Sequence, residues 1–430
     1  MNRRNFITKT GYTIGAVSIL STLGCRFSSA TSLGEWEAVR DDFQLNTDKI
    51  QMAQFLLASH PSKVRKAIET HRNGLDENTV QYFQSQNRPN VNKVIEAGAN
   101  YLECDPGEIA LTESTTMGLA ILYSGLKLKP GDDILTTTHD HYSTEKSLEF
   151  AAQRNGASIR RITLYENPAN TSVEEVINNL KNAILPETRI VATTFVHSST
   201  GVKLPIKEMS IVIKEVNDNR DESNRIYFCV DGVHGLGIEN ITVSELGCDF
   251  FVAGTHKWLF GPRGTGIIWA KKDAWHMVNA IVPPFGTAFR MWMGTVPEGK
   301  LTFHERLTPG GFHAFEHRWA LKEAFEFHME IGKEKIQTRT HALNTMLKEG
   351  MSNIKHVSLH TPLSNSLSAG INSFEVKGMD PRKVIGKLRK VNIIGSTSPY
   401  KTVYARLTPC IINTEKEVKH CIRALEKINE

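Results

Sequence analysis

The sequence predicts an α/β protein: a mostly parallel sheet with helices on both faces, followed by a smaller α+β region. Three observations carry this reading. Short apolar runs alternate with helix-like segments between residues 134 and 270. Four of those runs deliver a polar cluster at the C-terminal end, where open α/β sheets bind ligands. A strongly periodic stretch at 312–331 then separates this pattern from a C-terminal region of mixed character.

Taken in order, residues 1–30 read as a targeting segment and 31–60 as a lead-in. Val64 to Thr70 and Val91 to Leu102 have helical spacing, and Thr115 to Leu126 is a helix that ends near the turn Pro130-Gly131-Asp132. Ile134–Thr138, Ile190–Val196, Ile226–Val230 and Phe250–Ala253 are strand-like, with helix-like segments near 143–155, 172–184 and 206–217 between them. Gly264–Ala270 follows too closely for a helical crossover, so it is expected to run antiparallel. Phe312, Phe315, Trp319, Phe325, Phe327 and Ile331 predict one long helix bridging to a second domain, which ends in a helix from Glu415 to Ile428. The expected division is a large domain over 61–305 and a small domain over 306–430.

At 430 residues, with 40% hydrophobic and 23% charged residues, the chain is long enough for two domains and has an ordinary globular composition. Asn2-Arg3-Arg4-Asn5-Phe6-Ile7 resembles a twin-arginine export motif, followed by an apolar stretch too short for a spanning helix. Ser28-Ser29-Ala30 offers a cleavage site, while Leu23-Gly24-Cys25 offers a weak lipid-anchor alternative. The expectation is therefore a periplasmic protein with no membrane-spanning segment in its mature form. Loss of residues 1–30 removes Arg3, Arg4, Lys9 and Arg26 and no acidic residue, so the net charge falls from +5 to +1. No electrostatic case for nucleic acid remains. The six cysteines form no CxxC pair, and five remain without Cys25, which argues against a disulfide framework.

The strand-end clusters are His139-Asp140-His141, His197-Ser198-Ser199-Thr200, Asp231-Gly232-Val233-His234 and Thr255-His256-Lys257. Asp231 and Lys257 lie 26 positions apart, each closing an apolar run. A lysine that forms an imine and a carboxylate that holds a pyridinium nitrogen protonated are the two groups that pyridoxal 5'-phosphate (PLP) chemistry requires. His-Asp-His lacks a third ligand at supporting spacing, so no metal is expected.

In order and spacing, these motifs resemble the class V aminotransferase family, fold-type-I PLP enzymes that include cysteine desulfurases and isopenicillin-N-epimerase-like proteins. The resemblance runs from about residue 60 to the end. It implies that Lys257, in Thr255-His256-Lys257-Trp258, is the Schiff-base lysine, which needs a neutral amine and then moves the Cα proton. It implies that Asp231 pairs with the pyridine nitrogen and that His234 lies near the phenolic oxygen. His141 is the expected stacking residue, with His139 as the competing choice. Thr115 and Thr116 open a helix whose N-terminus suits the phosphate, although Ser114 or Thr115 would also serve as a simple N-cap. Thr255 and His256 are further phosphate ligands by resemblance. Thr308 resembles the threonine that reaches a phosphate across a dimer interface, which implies a homodimer with shared active sites. Ser198 stands where the family carries an asparagine, a departure from its pattern. Arg406 matches the arginine that clamps a substrate α-carboxylate.

A cysteine desulfurase needs a nucleophilic cysteine on a loop, either shortly before that arginine or earlier in the small domain. Residues 312–400 contain no cysteine. The expectation is an aminotransferase-like enzyme acting on an amino acid without persulfide formation. Epimerisation or racemisation and C–S elimination remain as alternatives on the same fold. A PLP-fold binding module is the non-enzymatic alternative, and a cofactor absorption band that depends on Lys257 separates it from the enzyme.

Overall fold

The computed structural model describes residues 33–428. The twin-arginine motif, the cleavage site and Cys25 lie outside the described residues. A seven-stranded sheet forms the centre, in the order Ile109–Thr112, Gly266–Ala270, Phe250–Gly254, Tyr227–Asp231, Thr188–Thr194, Asp133–Thr137, Ser158–Ile162. Gly266–Ala270 is antiparallel to both neighbours, as its short connection predicts, and the other pairings are parallel.

The central strands are buried on both faces, and alternate residues feed two cores. Ile134, Ile190, Tyr227, Phe250 and Val252 pack under Leu119, Leu122 and Leu148 of the helices Thr115–Gly125 and Tyr142–Asn155. Leu135, Val191, Phe228, Phe251 and Ala253 face the other way, onto Leu180, Met209 and Ile213. The period of two puts successive side chains on opposite faces, so nearly continuous apolar runs are what a doubly covered sheet demands.

Two strands escape the sequence reading. Ile109–Thr112 is only four residues long. Ser158–Ile162 is the polar edge strand Ser-Ile-Arg-Arg-Ile; it docks because Arg160 reaches the buried Asp133 carboxylate at 2.7 Å.

The expected long helix over 312–331 is a correction. Phe312 lies outside any helix, and the chain forms Phe315–Trp319 and Leu321–Ile331, interrupted at Ala320. Both pieces pack on the helices Ser62–Glu77 and Thr79–Leu102 beside the large sheet. Gly332, at φ +99°, then turns the chain through a conformation that favours glycine. The element that leads into the C-terminal region is the next helix, Lys333–Ser352, which packs on Glu415–Glu426.

The second sheet has four strands in the order Ser396–Thr397, Ala405–Leu407, Asn372–Val376, Val357–Leu359. Its core gathers Leu343, Leu347, Phe374, Leu388, Leu407 and Val418, and also Met52 from the lead-in. The lead-in is stitched onto this region: Ile50–Gln51 pairs in parallel with Ile393–Ile394, and Thr408 Oγ1 donates to the Met52 carbonyl at 2.7 Å. That stitching carries Phe55 to the mouth between the two sheets. Among the described residues, no helix is long and apolar enough to cross a membrane and no cluster of metal-ligating side chains forms.

Candidate active site

Three parallel strands end at one cavity. Thr188–Thr194 leads to Ser198, Tyr227–Asp231 ends on Asp231, and Phe250–Gly254 is followed by Lys257. The cavity encloses about 200 Å3 and is lined by Thr115, Thr116, His141, Ser198, Asp231, His234, His256, Lys257 and Arg406, with Phe55 and Thr194.

Asp231 is buried. Its Oδ1 accepts from Val233 N at 3.2 Å and its Oδ2 from Thr144 Oγ1 at 3.3 Å. Burial is the largest influence and pushes the carboxyl up to about 6, against the opposing Val233 hydrogen bond and the Lys257 charge. Burial likewise brings the Lys257 amine down to about 8; Asp231 opposes this and Arg406 adds to it. Among the described residues the two do not form a contact ion pair, so the cavity lies between opposite charges that are both poorly solvated.

Lys257 Nζ sits 3.2 Å from His234 Nε2, and Trp258 Nε1 donates to His234 Nδ1 at 3.1 Å. Burial holds His234 far below its ordinary pKa, so the ring is neutral. His141 caps the helix Tyr142–Asn155, its Nδ1 accepting from Ser143 N at 3.3 Å. Burial, then the Lys257 and Arg406 charges, keep its imidazole below the ordinary value. His139 goes elsewhere: it stacks on Tyr165 at 3.9 Å, facing a different cavity.

At the helix Thr115–Gly125, Ser114 is the N-cap, accepting from Met117 N at 3.2 Å. Thr115 Oγ1 accepts from Gly254 N at 2.8 Å, tying the helix to the strand that precedes Lys257. The backbone N–H groups of Thr115 and Thr116 are left without partners among the described residues, and the exposed Thr116 hydroxyl stands beside them. This is the arrangement a phosphate takes at a helix N-terminus.

Arg406 is buried. Its guanidinium donates to Ser198 O at 2.6 Å, Thr397 O at 2.7 Å and Ser396 Oγ at 3.2 Å, and lies 4.7 Å from the Phe55 ring centre. Burial lowers its pKa to about 10. A guanidinium has five N–H donors, so donors remain, and no carboxylate pairs with it among the described residues. A buried, unpaired cation is costly, and a bound carboxylate would relieve it.

The walls fit PLP. Thr194 Oγ1 and His256 Nδ1 are buried polar atoms with no partner among the described residues, and both belong to residues on this cavity. A cation-binding carboxylate, an amine, an aromatic face and a helix N-terminus complete the donor set.

Two of the expected ligands are not brought to the cavity. Thr255 is turned into its own loop, its Oγ1 2.5 Å from Thr265 Oγ1. Thr308 Oγ1 accepts from Leu111 N at 3.0 Å and lines a separate cavity of about 450 Å3 beside Phe285 and Phe312. Ser198 is on the wall, but its hydroxyl engages Tyr400 OH at 2.7 Å. Sequence reasoning missed Thr144, Thr194, Phe55, Tyr400 and the role of Trp258. Trp258 stands in the Lys257 motif and Thr194 in the strand-like run Ile190–Val196; Thr144, Phe55 and Tyr400 are joined to the site by folding alone.

A family model described as aminotransferase class-V matches residues 58–422. A probable cysteine desulfurase from Xylella fastidiosa (strain 9a5c) is 24% identical over 422 residues, covering 92% of this chain and 96% of that protein. The isopenicillin N epimerase of Streptomyces clavuligerus is 25% identical over 346 residues, covering 77% and 83%. A solved structure of a lysine-to-alanine mutant of C-DES, with glycine covalently linked to the PLP cofactor, superposes with a TM-score of 0.79 at 23% identity. That match covers 90% of this chain and 99% of the other, and at this identity it speaks for the fold.

Proposed function

The chain belongs to the aminotransferase class-V family of PLP-dependent enzymes, and on that premise we propose that it is an aminotransferase-like enzyme acting on an amino acid through Lys257. The observation that carries this reading is the convergence of three poorly solvated groups, Lys257, Asp231 and Arg406, on one cavity. When bound, the cofactor supplies an aldehyde for amines and a ring that takes up the electrons of a broken Cα bond.

The chain's own residues do the rest. Lys257, its pKa lowered by burial, would be the amine that holds the cofactor and, once freed by the substrate, the base that takes the Cα proton at Nζ. Asp231 would keep a proton on the ring nitrogen. His141 would cover one ring face. Thr116 and the open end of its helix would hold the phosphate. Arg406 receives the substrate carboxylate through its free N–H groups and fixes which bond at Cα stands ready to break.

Persulfide formation is outside this proposal, although relatives are named as cysteine desulfurases. Residues 312–400 lack cysteine. The nearest thiol in sequence to Arg406, Cys410, is buried and its pKa is pushed up to about 12, whereas a sulfur nucleophile needs an accessible thiolate. Epimerisation and C–S elimination begin with the same proton removal by Lys257. A panel of D- and L-amino acids with keto-acid acceptors, read by conversion of the cofactor band and by product, separates them: a new amino acid formed from the acceptor marks transamination, keto acid with free ammonia and a released thiol marks C–S elimination, and Cα hydrogen exchange with neither marks epimerisation. Rapid sulfide release from L-cysteine that depends on one thiol would contradict the reading.

The proposal includes a homodimer. Phe285, Phe289, Trp292 and Phe312 are exposed around the cavity that holds Thr308, and a second copy would cover them. It also includes export by residues 1–30, tested by fractionation of the native host; mature protein confined to the cytoplasm would refute it.

A further inference from the structure

Two cavities meet at the segment Pro399–Tyr400. The one at Lys257, at about 200 Å3, is smaller than the roughly 300–1,000 Å3 of sites that enclose small-molecule ligands. A cofactor placed there leaves little room for a substrate side chain. A second cavity of about 550 Å3 opens behind the segment Pro399–Tyr400, and Pro399 lines both.

Tyr400 is the partition. Its hydroxyl is bonded to Ser198 Oγ at 2.7 Å, and its ring stands edge-on to His141, 5.9 Å between centres. Its loop is tied to itself: Tyr404 N donates to Ser398 Oγ at 2.8 Å, and Ser398 N to Tyr404 O at 2.9 Å. One side-chain hydrogen bond, to Ser198 in the loop after the strand Thr188–Thr194, and the edge contact with His141 therefore hold the ring in place.

The second cavity has a definite chemistry. Its floor is the stacked pair His139 and Tyr165, and Tyr165 OH lies 2.9 Å from Thr200 Oγ1. Asp140 is fully occupied by Thr136, Thr137 and Thr194. Arg161 at the wall is paired with Glu145 at 2.8 Å and Glu149 at 2.5 Å. What is offered at the floor is flat aromatic surface and hydroxyls; of the charged groups on the lining, Arg161 and Asp140 are engaged, and Glu166 and Lys401 stand exposed at the rim. Such a floor suits a flat, neutral, polar group, whereas a carboxylate that left water for it would find the wall cation Arg161 already paired.

We propose that this cavity is the side-chain subsite of the amino-acid substrate, that Tyr400 is its gate, and that it selects long side chains ending in a neutral flat polar group such as a phenol. The inference rests on the proposed reading of the Lys257 site.

The test measures dissociation constants for L-tyrosine, L-alanine and L-glutamate on the PLP-loaded protein, from the shift of the visible cofactor band. Tyrosine is expected to bind more tightly than alanine or glutamate. Thr138→Trp, which projects a large ring into the second cavity from its exposed wall, should raise the tyrosine-to-alanine ratio of Kd about tenfold, the scale of a lost side-chain pocket. Tyr400→Phe, which removes the bond to Ser198, should lower that ratio about fivefold, the worth of one ordinary hydrogen bond. A normal band with ratios unmoved by both variants overturns the subsite. Absence of any band overturns the reading of the Lys257 site instead.

Discussion

Trp258 donates its indole N–H to His234 Nδ1 across 3.1 Å, and this fixes which nitrogen of His234 faces Lys257. Indole only donates, so Nδ1 carries no proton and the neutral ring carries it on Nε2. That N–H points at Lys257 Nζ, 3.2 Å away, and needs an acceptor there. A neutral amine accepts; an ammonium does not. The residue next to the lysine in sequence thus works through a histidine 24 positions earlier to favour the neutral form of the amine, in the same direction as burial.

Trp258→Phe should release this lock. His234 is then free to offer Nε2 as an acceptor to an ammonium. One hydrogen bond is worth about 1–1.5 kcal/mol and a pKa unit about 1.4 kcal/mol, so the Lys257 pKa should rise by about one unit. The rate of covalent PLP uptake against pH reads this directly. Its midpoint should stand near 8 in the wild-type chain and near 9 in the variant. An unmoved midpoint refutes the lock.

The same burial predicts a pH dependence of stability in the cofactor-free chain. The folded Lys257 pKa of about 8 lies below the ordinary 10.5, so the unfolded chain binds more proton between them. Its contribution to stability rises with pH across that window and is lost as pH falls through 8. The folded Asp231 value of about 6 lies above the ordinary 3.8, so its contribution falls as pH rises from 3.8 through 6. Denaturant midpoints against pH should lose the alkaline rise in Lys257→Met and the acidic fall in Asp231→Asn.

Arg406→Lys should weaken substrate binding more than it weakens folding. A lysine cannot hold Ser198 O and Thr397 O while also offering a fork to a carboxylate. Losing one partner of a desolvated charge pair costs about 2–5 kcal/mol, so KM should rise at least about thirtyfold while cofactor uptake persists. Equal KM values would remove Arg406 from the substrate site.

Gly232→Ala tests the packing that aims Asp231. A Cβ at Gly232 would fall on the Phe251 ring in the neighbouring strand. Overpacking of this kind costs about 1–3 kcal/mol, read as a lower urea midpoint. A stable variant with normal cofactor uptake would show that the turn after Asp231 has slack.

The sheet was legible because its central strands are buried on both faces and write themselves as apolar runs. The edge strand Ser158–Ile162 was not, since half its side chains meet water and a salt bridge holds it. The long helix over 312–331 failed because aromatic spacing continues across Ala320 while the backbone does not. In the site, Lys257, Asp231, His141, His234, Thr116 and Arg406 stood in motifs and reach one cavity. Phe55 reaches it from a segment with no motif, by pairing of Ile50–Gln51 with Ile393–Ile394, and Tyr400 stands beside it through a hydroxyl contact to Ser198. Thr255 carried the right residue type, but its neighbour Thr265 claims the hydroxyl.

Lys257 is the amine proposed to take the cofactor. Incubation of the purified chain with PLP, reduction with borohydride, and peptide mapping by mass spectrometry locate that amine. The expected result is a reduced pyridoxyl adduct on Lys257 at one per chain, absent in Lys257→Ala. An adduct spread over other lysines, or none on Lys257, would contradict it.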